Sequence, residues 1–210
     1  MAGIQGENER CIELPLGIEA ARPWDSGWVL DAGCALLPAV AAAPPSMTMR
    51  ARMVHLTESI GSEACQSRGQ LASYVSADLR DLSIFADRAF DRVVCVSTLE
   101  HVGLDNRQYG GQNDHCPETA RQALHELWRV TKQTLFLSVP YTVGPEWKNW
   151  KWRYFTAETL SHLLAGFVAD VRFYARQRDG TWEGGRKGPA VPWAPAGERV
   201  NQIAVVKVTR

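Results

Sequence analysis

The sequence predicts an α/β fold, a doubly wound and mostly parallel sheet that ends in an antiparallel C-terminal hairpin. Two observations support this prediction: short apolar runs recur along the chain, and segments with helical periodicity lie between several of them. Continuous apolar runs are typical of strands that are buried on both faces, as in parallel sheets. Five such runs come before the hairpin, at residues 28–30, 53–56, 74–77, 93–96 and 135–139.

Two segments carry the helical pattern. From Ala120 to Thr131, apolar residues recur at i, i+3, i+4 and i+7, which predicts a helix with one buried face. Pro117 and Glu118 suit its first turn, because a missing N–H is tolerated there and an acidic side chain meets the helix dipole. Residues 156–158 begin a second helix, which Gly166 ends.

In the C-terminal part of the chain, strand patterns no longer alternate with helix patterns. Residues 168–175 and 202–208 predict two strands with no helix between them, which indicates an antiparallel hairpin. Residues 179–197 form a Gly-, Pro- and Trp-rich insert in that hairpin. Because no internal repeat and no linker is found, we expect one domain over residues 1–210, with residues 1–26 as an N-terminal cap or lid.

The composition limits the kinds of partner. Lys and Arg number 23 and Asp and Glu number 23, so the net charge is zero, and we expect a small-molecule partner, with no nucleic acid and no membrane. No apolar run approaches the roughly 20 residues that span a bilayer, and residues 1–10 lack a hydrophobic secretion segment. Five widely spaced cysteines favour reduced thiols in a cytoplasmic protein, and no Cys/His group has zinc spacing. A monomer and a homodimer both remain open.

Acidic residues end three of the predicted strands: Asp31, Glu58 and Asp78. In a doubly wound sheet, ligands bind beyond the carboxyl ends of the strands, where the strand order reverses. Each acid alone is also explained as the cap of a following helix, but three in register favour a ligand. The turn at residues 31–37 contains one glycine and therefore lacks the Gly-x-Gly-x-x-Gly pattern that cradles a pyrophosphate, which disfavours an NAD-dependent oxidoreductase.

The three acids suit S-adenosylmethionine, which carries a sulfonium, an ammonium, a ribose diol and an adenine amine, and no phosphate. Val29–Cys34 resembles the first motif of class I S-adenosylmethionine-dependent methyltransferases, and residues 76–82 and 89–103 resemble their central block. Residues 124–130 and the strand after them are similar to the helix and strand that follow. The resemblance covers about residues 27–140 and implies a seven-stranded sheet, methyltransferase activity and S-adenosylmethionine as cofactor.

The resemblance also implies a set of cofactor-binding residues: Asp31, Gly33, Cys34, Ala35, Glu58, Asp78, Leu79, Ser97 and Thr98. Gly33 and the two residues after it would pass under the methionine part, with Asp31 setting the turn. Glu58 would hold the ribose hydroxyls. Asp78 would accept a hydrogen bond from the adenine amine, and the next backbone unit would meet the ring. Residues 97–98 would line the floor near the sulfonium.

The chain departs from the family's pattern at Ala35, Leu36 and Leu37, where further glycines are usual. Either the loop takes a different path, or cofactor affinity is weak or lost. The second outcome gives the alternative function, a non-catalytic binding or scaffolding protein with a methyltransferase fold. Glu58 carries a separate ambiguity, because Thr57 precedes it and the strand register can slip by one.

Candidate catalytic residues follow the fourth predicted strand, where Glu100 and His101 are adjacent. Methyl transfer to an oxygen requires removal of its proton, and a histidine with an ordinary pKa near ~6.5 suits that role. We therefore predict His101 as the general base beside Glu100, with a purely structural Glu–His pair as the alternative. The predicted acceptor is a hydroxyl of a sugar or of a secondary metabolite.

A polar loop between Leu104 and Cys116 is the first candidate acceptor segment, and Tyr109 is its predicted substrate contact. The same loop offers three potential metal ligands: Asp105, Asp114 and His115. No spacing forces them to converge, so we predict no metal.

An aromatic and basic segment at residues 146–155 is the second candidate, because such side chains stack on bases or sugars. Trp147 and Trp150 are the predicted substrate contacts. The alternative is that Trp152 and Phe155 pack in the core while the lysines stay solvated.

Overall fold

The structure, a computed structural model, describes residues 4–38, 50–57, 72–105, 107, 116–146, 148–149, 151–185 and 200–210. These residues form one mixed sheet of nine strands with helices against both faces. The strands are β1 (Ile4–Gln5), β2 (Gly27–Ala32), β3 (Ala51–Thr57), β4 (Ala72–Ser76), β5 (Phe90–Val96), β6 (Thr131–Pro140), β7 (Ala169–Arg176), β8 (Thr181–Gly185) and β9 (Gln202–Thr209). The helices are α1 (Arg10–Ala21), α2 (Ala120–Val130) and α3 (Ala157–Leu163).

The strand order is β1-β8-β7-β9-β6-β5-β2-β3-β4. Strands β2 to β6 pair in parallel, whereas β9 runs antiparallel to both β6 and β7. The chain moves outward from β2 to β4 on one side and from β5 to β6 on the other, so the strand order reverses between β2 and β5. The predicted doubly wound α/β class with an antiparallel C-terminal hairpin is confirmed.

The expected number of seven strands was too low. All seven predicted strands are present, and two short strands, β8 and β1, extend the sheet beyond β7. Strand β8 lies within the predicted hairpin insert and reads Thr-Trp-Glu-Gly-Gly. Glu and the two glycines are depleted in strands, so pairing with β7 rather than local propensity forms most of it. Strand β1 has two residues and no periodicity to detect.

The continuous apolar runs are explained by burial on both faces of the sheet. In β5, Val93 and Cys95 face the core that contains α2, while Val94 and Val96 face the core that contains α1. Because side chains alternate along a strand, a strand between two cores needs an apolar residue at every position.

Helices α2 and α3 confirm the helical predictions. The apolar face of α2, which includes Leu124 and Leu127, is fully buried, and a 3-10 turn at Pro117–Thr119 precedes it. Helix α3 begins with a capping box: Thr156 Oγ1 accepts from Thr159 N at 3.2 Å, and Thr159 Oγ1 accepts from Thr156 N at 2.8 Å. Among the described residues, no helix combines the length and apolar character needed to cross a membrane.

Helix α1 occupies the amino-terminal segment and packs against β5 and β6. Its close approach depends on Gly17, since a Cβ at that position would lie 3.0 Å from the Leu36 side chain and 3.2 Å from that of Val96. Pro15 lies inside α1, and the two faces of the helix differ little in hydrophobicity. For these two reasons the sequence analysis did not predict α1.

A buried polar pair links β2 and β3. Asp31 and His55 are opposite one another in the sheet register, both are fully buried, and His55 Nδ1 lies 2.8 Å from Asp31 Oδ2. The His55 ring stacks at 5.5 Å on Tyr74, its register partner on β4. The Asp31 carboxylate also accepts from Leu36 N at 3.0 Å, so this pair joins three strands and the turn after β2.

Substituting His55→Leu is expected to lower the free energy of unfolding by about 3–5 kcal/mol, because it leaves the Asp31 carboxyl buried without its side-chain partner. Denaturant unfolding measures this change. His162→Leu on the exposed side of α3 is the control and should leave the midpoint nearly unchanged. A His55→Leu protein that unfolds at the wild-type midpoint would show that the pair does not stabilise the fold.

Candidate functional site

A first cavity of about 230 Å³ lies at the carboxyl ends of β2, β3, β4 and β5, where the strand order reverses. Its lining consists of Arg10, Gly33, Ala35, Leu56, Thr57, Ala77, Leu79, Val96, Ser97, Thr98, His101 and Val102. Six of the predicted site residues are among them: Gly33, Ala35, Leu79, Ser97, Thr98 and His101. The strand ends therefore bring together residues that are almost 70 positions apart in sequence.

The turn after β2 depends on one glycine. Gly33 has φ +98°, and its N–H donates to Leu56 O at 2.8 Å. A Cβ at this position would collide with the side chain of Thr98 on the opposite wall. Cys34 also has a positive φ, +57°, and its Sγ donates to Leu56 O at 3.6 Å, so it contacts the wall of β3 and is not part of the lining.

Two leucines distinguish this turn from a glycine-rich loop, and both point into the core. Leu36 is fully buried and Leu37 is 6% exposed, whereas Ala35 lines the first cavity. Asp31 holds the turn from below through its bond from Leu36 N. The leucines therefore fill the core beneath the loop and do not occupy the cavity.

The other acidic residues are placed differently from Asp31. The carboxylate of Asp78 binds the Arg80 guanidinium, with Nε at 2.9 Å and Nη2 at 2.6 Å from Oδ2, and it does not line the cavity. The next residue, Leu79, is buried and does line it. Glu58 lies outside the described residues, and its neighbour Thr57 forms part of the wall at the end of β3.

Ser97 and Thr98 form the floor at the end of β5. Thr98 Oγ1 donates to Val96 O at 2.9 Å. Ser97 has φ +42°, and its hydroxyl donates to Glu13 Oε1 at 2.7 Å, while its N–H bonds to Ser138 O at 3.1 Å. Residues from α1, β5 and β6 thus meet at this floor.

His101 is held in one orientation. Its Nδ1 lies 2.8 Å from Lys151 O, and because a carbonyl oxygen can only accept, Nδ1 carries the proton. In the neutral ring Nε2 is then the basic nitrogen, and it lies 4.0 Å from Glu100 Oε1. Burial lowers the pKa of His101 from its ordinary value, and the nearby charge of Arg10 adds to the effect, against the Lys151 carbonyl bond.

Glu100 is only 2% exposed, and its Oε2 has no hydrogen-bond partner among the described residues. Burial raises the pKa of Glu100 to about 8, and the carboxylate of Glu13 contributes in the same direction. Its carboxyl is therefore largely protonated at pH 7, beside a neutral imidazole.

A second cavity of about 850 Å³ adjoins the first and shares Arg10, Ser97 and His101 with it. The remaining lining residues are mostly polar: Glu7, Asn8, Glu9, Glu100, Pro140, Lys151, Trp152, Arg176, Val200 and Asn201. Trp152 is half-buried there, whereas Phe155 is buried in the core, so the alternative interpretation of the aromatic segment holds for one of these two residues.

Three predicted substrate contacts, Tyr109, Trp147 and Trp150, lie outside the described residues. From the polar loop, Asp105 is buried and its carboxylate binds Arg107 Nε at 2.9 Å. Among the described residues, no group of three potential metal ligands occurs.

Sequence analysis missed Arg10 and Glu13, both on α1. Arg10 lines both cavities, and Glu13 is fully buried against the floor. Their i, i+3 spacing was a possible signal, but that spacing is equally common on solvated helix faces. The two faces of α1 also differ little in hydrophobicity, so the sequence did not indicate which face is buried.

Gly33→Ala is expected to destabilise the fold more than Gly166→Ala, which is the matched control. Both glycines have φ above +90°, so a side chain costs about 1–3 kcal/mol at either position. A Cβ at position 166 meets open space, whereas at position 33 it collides with Thr98, which adds about 1–3 kcal/mol. Equal shifts of the two variants in denaturant unfolding would contradict the close approach of the turn to the floor.

Comparisons with known proteins agree with this geometry. The family model of a methyltransferase domain matches residues 30–137, and no curated protein is significantly similar to the chain. Among solved structures, the [4+2]-cyclase SpnF is 20% identical with a TM-score of 0.54, over 75% of this chain and only 57% of the length of SpnF. An S-adenosylmethionine-dependent methyltransferase from Methanosarcina mazei is 15% identical with a TM-score of 0.57, over 93% of this chain and 97% of that protein.

The N-methyltransferase NodS from Bradyrhizobium japonicum, in complex with S-adenosylhomocysteine, is 14% identical with a TM-score of 0.58, over 97% of this chain and 89% of NodS. At these identities the solved structures show a shared fold. The family model spans more than half of the chain. The chain therefore belongs to the methyltransferase-domain family, the class I methyltransferases whose cofactor is S-adenosylmethionine.

Proposed function

We propose that this methyltransferase methylates a hydroxyl group of a small polar acceptor, a sugar or a secondary metabolite, with His101 as general base. The observation that carries the proposal is the position of His101, which lines both cavities while its Nδ1–H is held by Lys151 O. Nε2 is the basic nitrogen of this ring, and the ring lies at the boundary between the cavities. A base at that place can take the hydroxyl proton of an acceptor in the second cavity while that oxygen attacks the methyl group of a donor in the first.

The first cavity fits the methyl donor. The Gly33 turn approaches the Thr98 side chain too closely for a Cβ at position 33, so backbone rather than a side chain lines this part of the cavity, which suits contact with the methionine part. Apolar walls from Leu56, Ala77 and Leu79 suit the faces of an adenine ring. When bound, S-adenosylmethionine supplies a methyl group on a positively charged sulfur.

The residues that would hold the donor are the backbone of Gly33–Ala35 at its methionine end and Leu79 at its adenine ring. Glu58 on the ribose hydroxyls remains a prediction, and so does Asp78 on the adenine amine. Asp78 would make that contact by sharing the carboxylate that now binds Arg80.

His101 is suited to take a hydroxyl proton. Since burial lowers its pKa, the ring is neutral at pH 7 and Nε2 can accept. After proton transfer, Nδ1–H still donates to Lys151 O, so the imidazolium keeps its orientation. Glu100 Oε1 lies 4.0 Å from Nε2, too far for a direct hydrogen bond, and its largely protonated carboxyl leaves Nε2 as the group that takes up the proton.

The second cavity supports a hydroxylated acceptor. Trp152 provides an aromatic face, and the side-chain amides of Asn8 and Asn201 can both donate and accept. Acidic and basic residues are present in its lining in equal number, which suits a neutral polar molecule better than a polyanion. A small saccharide matches this combination of an aromatic platform and polar rim.

Replacing His101 by Gln should reduce kcat by about 100- to 10,000-fold, because proton removal from the hydroxyl is lost. The affinity for S-adenosylhomocysteine, measured by calorimetry, should stay within about threefold, since no backbone of the turn changes. Activity is followed as S-adenosylhomocysteine release with a panel of monosaccharides and other hydroxylated metabolites.

The wild-type pH profile provides the matching control. A base with a lowered pKa is active above that pKa, so kcat should be flat near pH 7 and fall only on acidification below about 6.5. If His101→Gln turned over at the wild-type rate, or if its kcat still fell on acidification as in the wild type, His101 would not be the base.

Trp152→Ala should raise the acceptor KM by about 5- to 30-fold and change kcat less, because an aromatic platform of this kind contributes about 1–2 kcal/mol of binding. Trp28→Ala, an exposed tryptophan on β2, is the control and should leave KM unchanged. An unchanged acceptor KM in Trp152→Ala would place the acceptor elsewhere.

A further inference from the structure

Glu13 is a buried acidic residue that the proposed reaction does not yet use. It is fully buried on α1, and its two carboxylate oxygens have different partners. Oε1 accepts from Ser97 Oγ at 2.7 Å, and Oε2 accepts from Arg10 Nη1 at 3.1 Å. Burying a carboxyl group is costly even when it is paired, so a buried acid needs an explanation beyond stability.

The first partner, Ser97, has an unusual backbone. Its φ of +42° lies in the left-handed region, which is rare for residues other than glycine and costs about 1–3 kcal/mol unless the surroundings enforce it. Glu13 holds the side chain, and Ser138 holds the N–H through its carbonyl at 3.1 Å and its hydroxyl at 3.3 Å. Ser97 is thereby fixed where the floor of the first cavity meets the second cavity.

The second partner, Arg10, lies at the same boundary from the opposite side. It lines both cavities, and among the described residues its guanidinium has, besides the contact with Glu13, a long ion pair with Glu9 at 4.0 Å. One carboxylate therefore positions two of the three residues that the cavities share, and the third is His101.

We propose that Glu13 is a positioning residue for methyl transfer, which sets Ser97 and Arg10 at the boundary between the cavities so that donor and acceptor meet in line at His101. The inference rests on the proposed function. It makes α1 a part of the catalytic architecture rather than only a cover for the sheet. Small errors in the approach of two reactants reduce the rate of transfer strongly, so the effect should be on kcat.

An electrostatic signature accompanies this role. The groups that face Glu100 are Glu13 and Arg10 from α1, the adjacent His101, Ser97 three positions earlier, and Arg153 and Cys95. The Glu13 carboxylate raises the pKa of Glu100. Removing that negative charge makes ionisation of Glu100 easier, so its pKa should fall below about 8. A purely structural loss would not move this value in a defined direction.

The test compares Glu13→Gln and Glu13→Ala with Glu19→Gln, a matched change at an exposed position of the same helix. Glu13→Gln keeps the size and an acceptor for Ser97 but loses the charge that holds Arg10, and kcat should fall about tenfold. Glu13→Ala loses both contacts, and kcat should fall at least 100-fold. In both variants the affinity for S-adenosylhomocysteine should stay within threefold, and Glu19→Gln should match the wild type.

A carbon-13 NMR titration of the glutamate carboxyls, assigned with Glu100→Gln, should show the Glu100 midpoint at lower pH in Glu13→Gln than in the wild type. The proposal is overturned if kcat of Glu13→Gln stays within twofold, or if its kcat falls while the Glu100 midpoint stays in place. If Glu13→Ala does not fold, Glu13→Gln alone decides. A wild type that binds no S-adenosylhomocysteine overturns the proposed function itself, whereas inactive His101→Gln with fully active Glu13→Gln overturns only this inference.

Discussion

The Asp31 carboxylate is the contact on which the rest of the site depends. It is buried between β2 and β3, pairs with His55, and accepts from the backbone of Leu36. A carboxylate in this position needs strong partners to offset its desolvation, and among the described residues its partners belong to the neighbouring strand and to the turn. The turn is therefore fixed relative to the sheet, and so is the close approach of Gly33 to Thr98.

The fixed turn also accounts for how the protein forms the first cavity with one glycine in the turn after β2. The bulk at positions 36 and 37 points into the core, where it contributes apolar burial, and only Ala35 faces the cavity. Extra glycines would be needed if the loop approached a ligand along its whole length. Here the close approach is confined to Gly33, opposite Thr98.

Burial sets the charge state of the groups between the two cavities. Desolvation raises the pKa of Glu100 and lowers that of His101, so both are largely uncharged at pH 7. Burial also raises the pKa of Glu13, and the Arg10 guanidinium beside it opposes that rise. A neutral imidazole next to a protonated carboxyl can take up a proton without first expelling one, and this is the condition that a general base at this position requires.

The sequence by itself determined the fold class and the place of the first cavity. Buried strands such as β5 need apolar residues at consecutive positions, and the apolar residues of α2 recur with the helical period. Both patterns can therefore be recognised from residues that are close together in the sequence. Strand ends follow from those runs and indicated residues 97–101, whereas Gly33 and Leu79 were predicted from the resemblance to class I methyltransferases.

Only the tertiary structure decided which way the polar side chains at those strand ends point. Asp31 and Asp78 both follow strands, yet one binds His55 beneath the turn and the other binds Arg80, because the partners come from strand register and local chain direction. Strands β1 and β8 form only by pairing with the sheet edge, and α1 brings Arg10 and Glu13 to residues more than 80 positions later. Such contacts depend on distances between elements, and no local pattern encodes them.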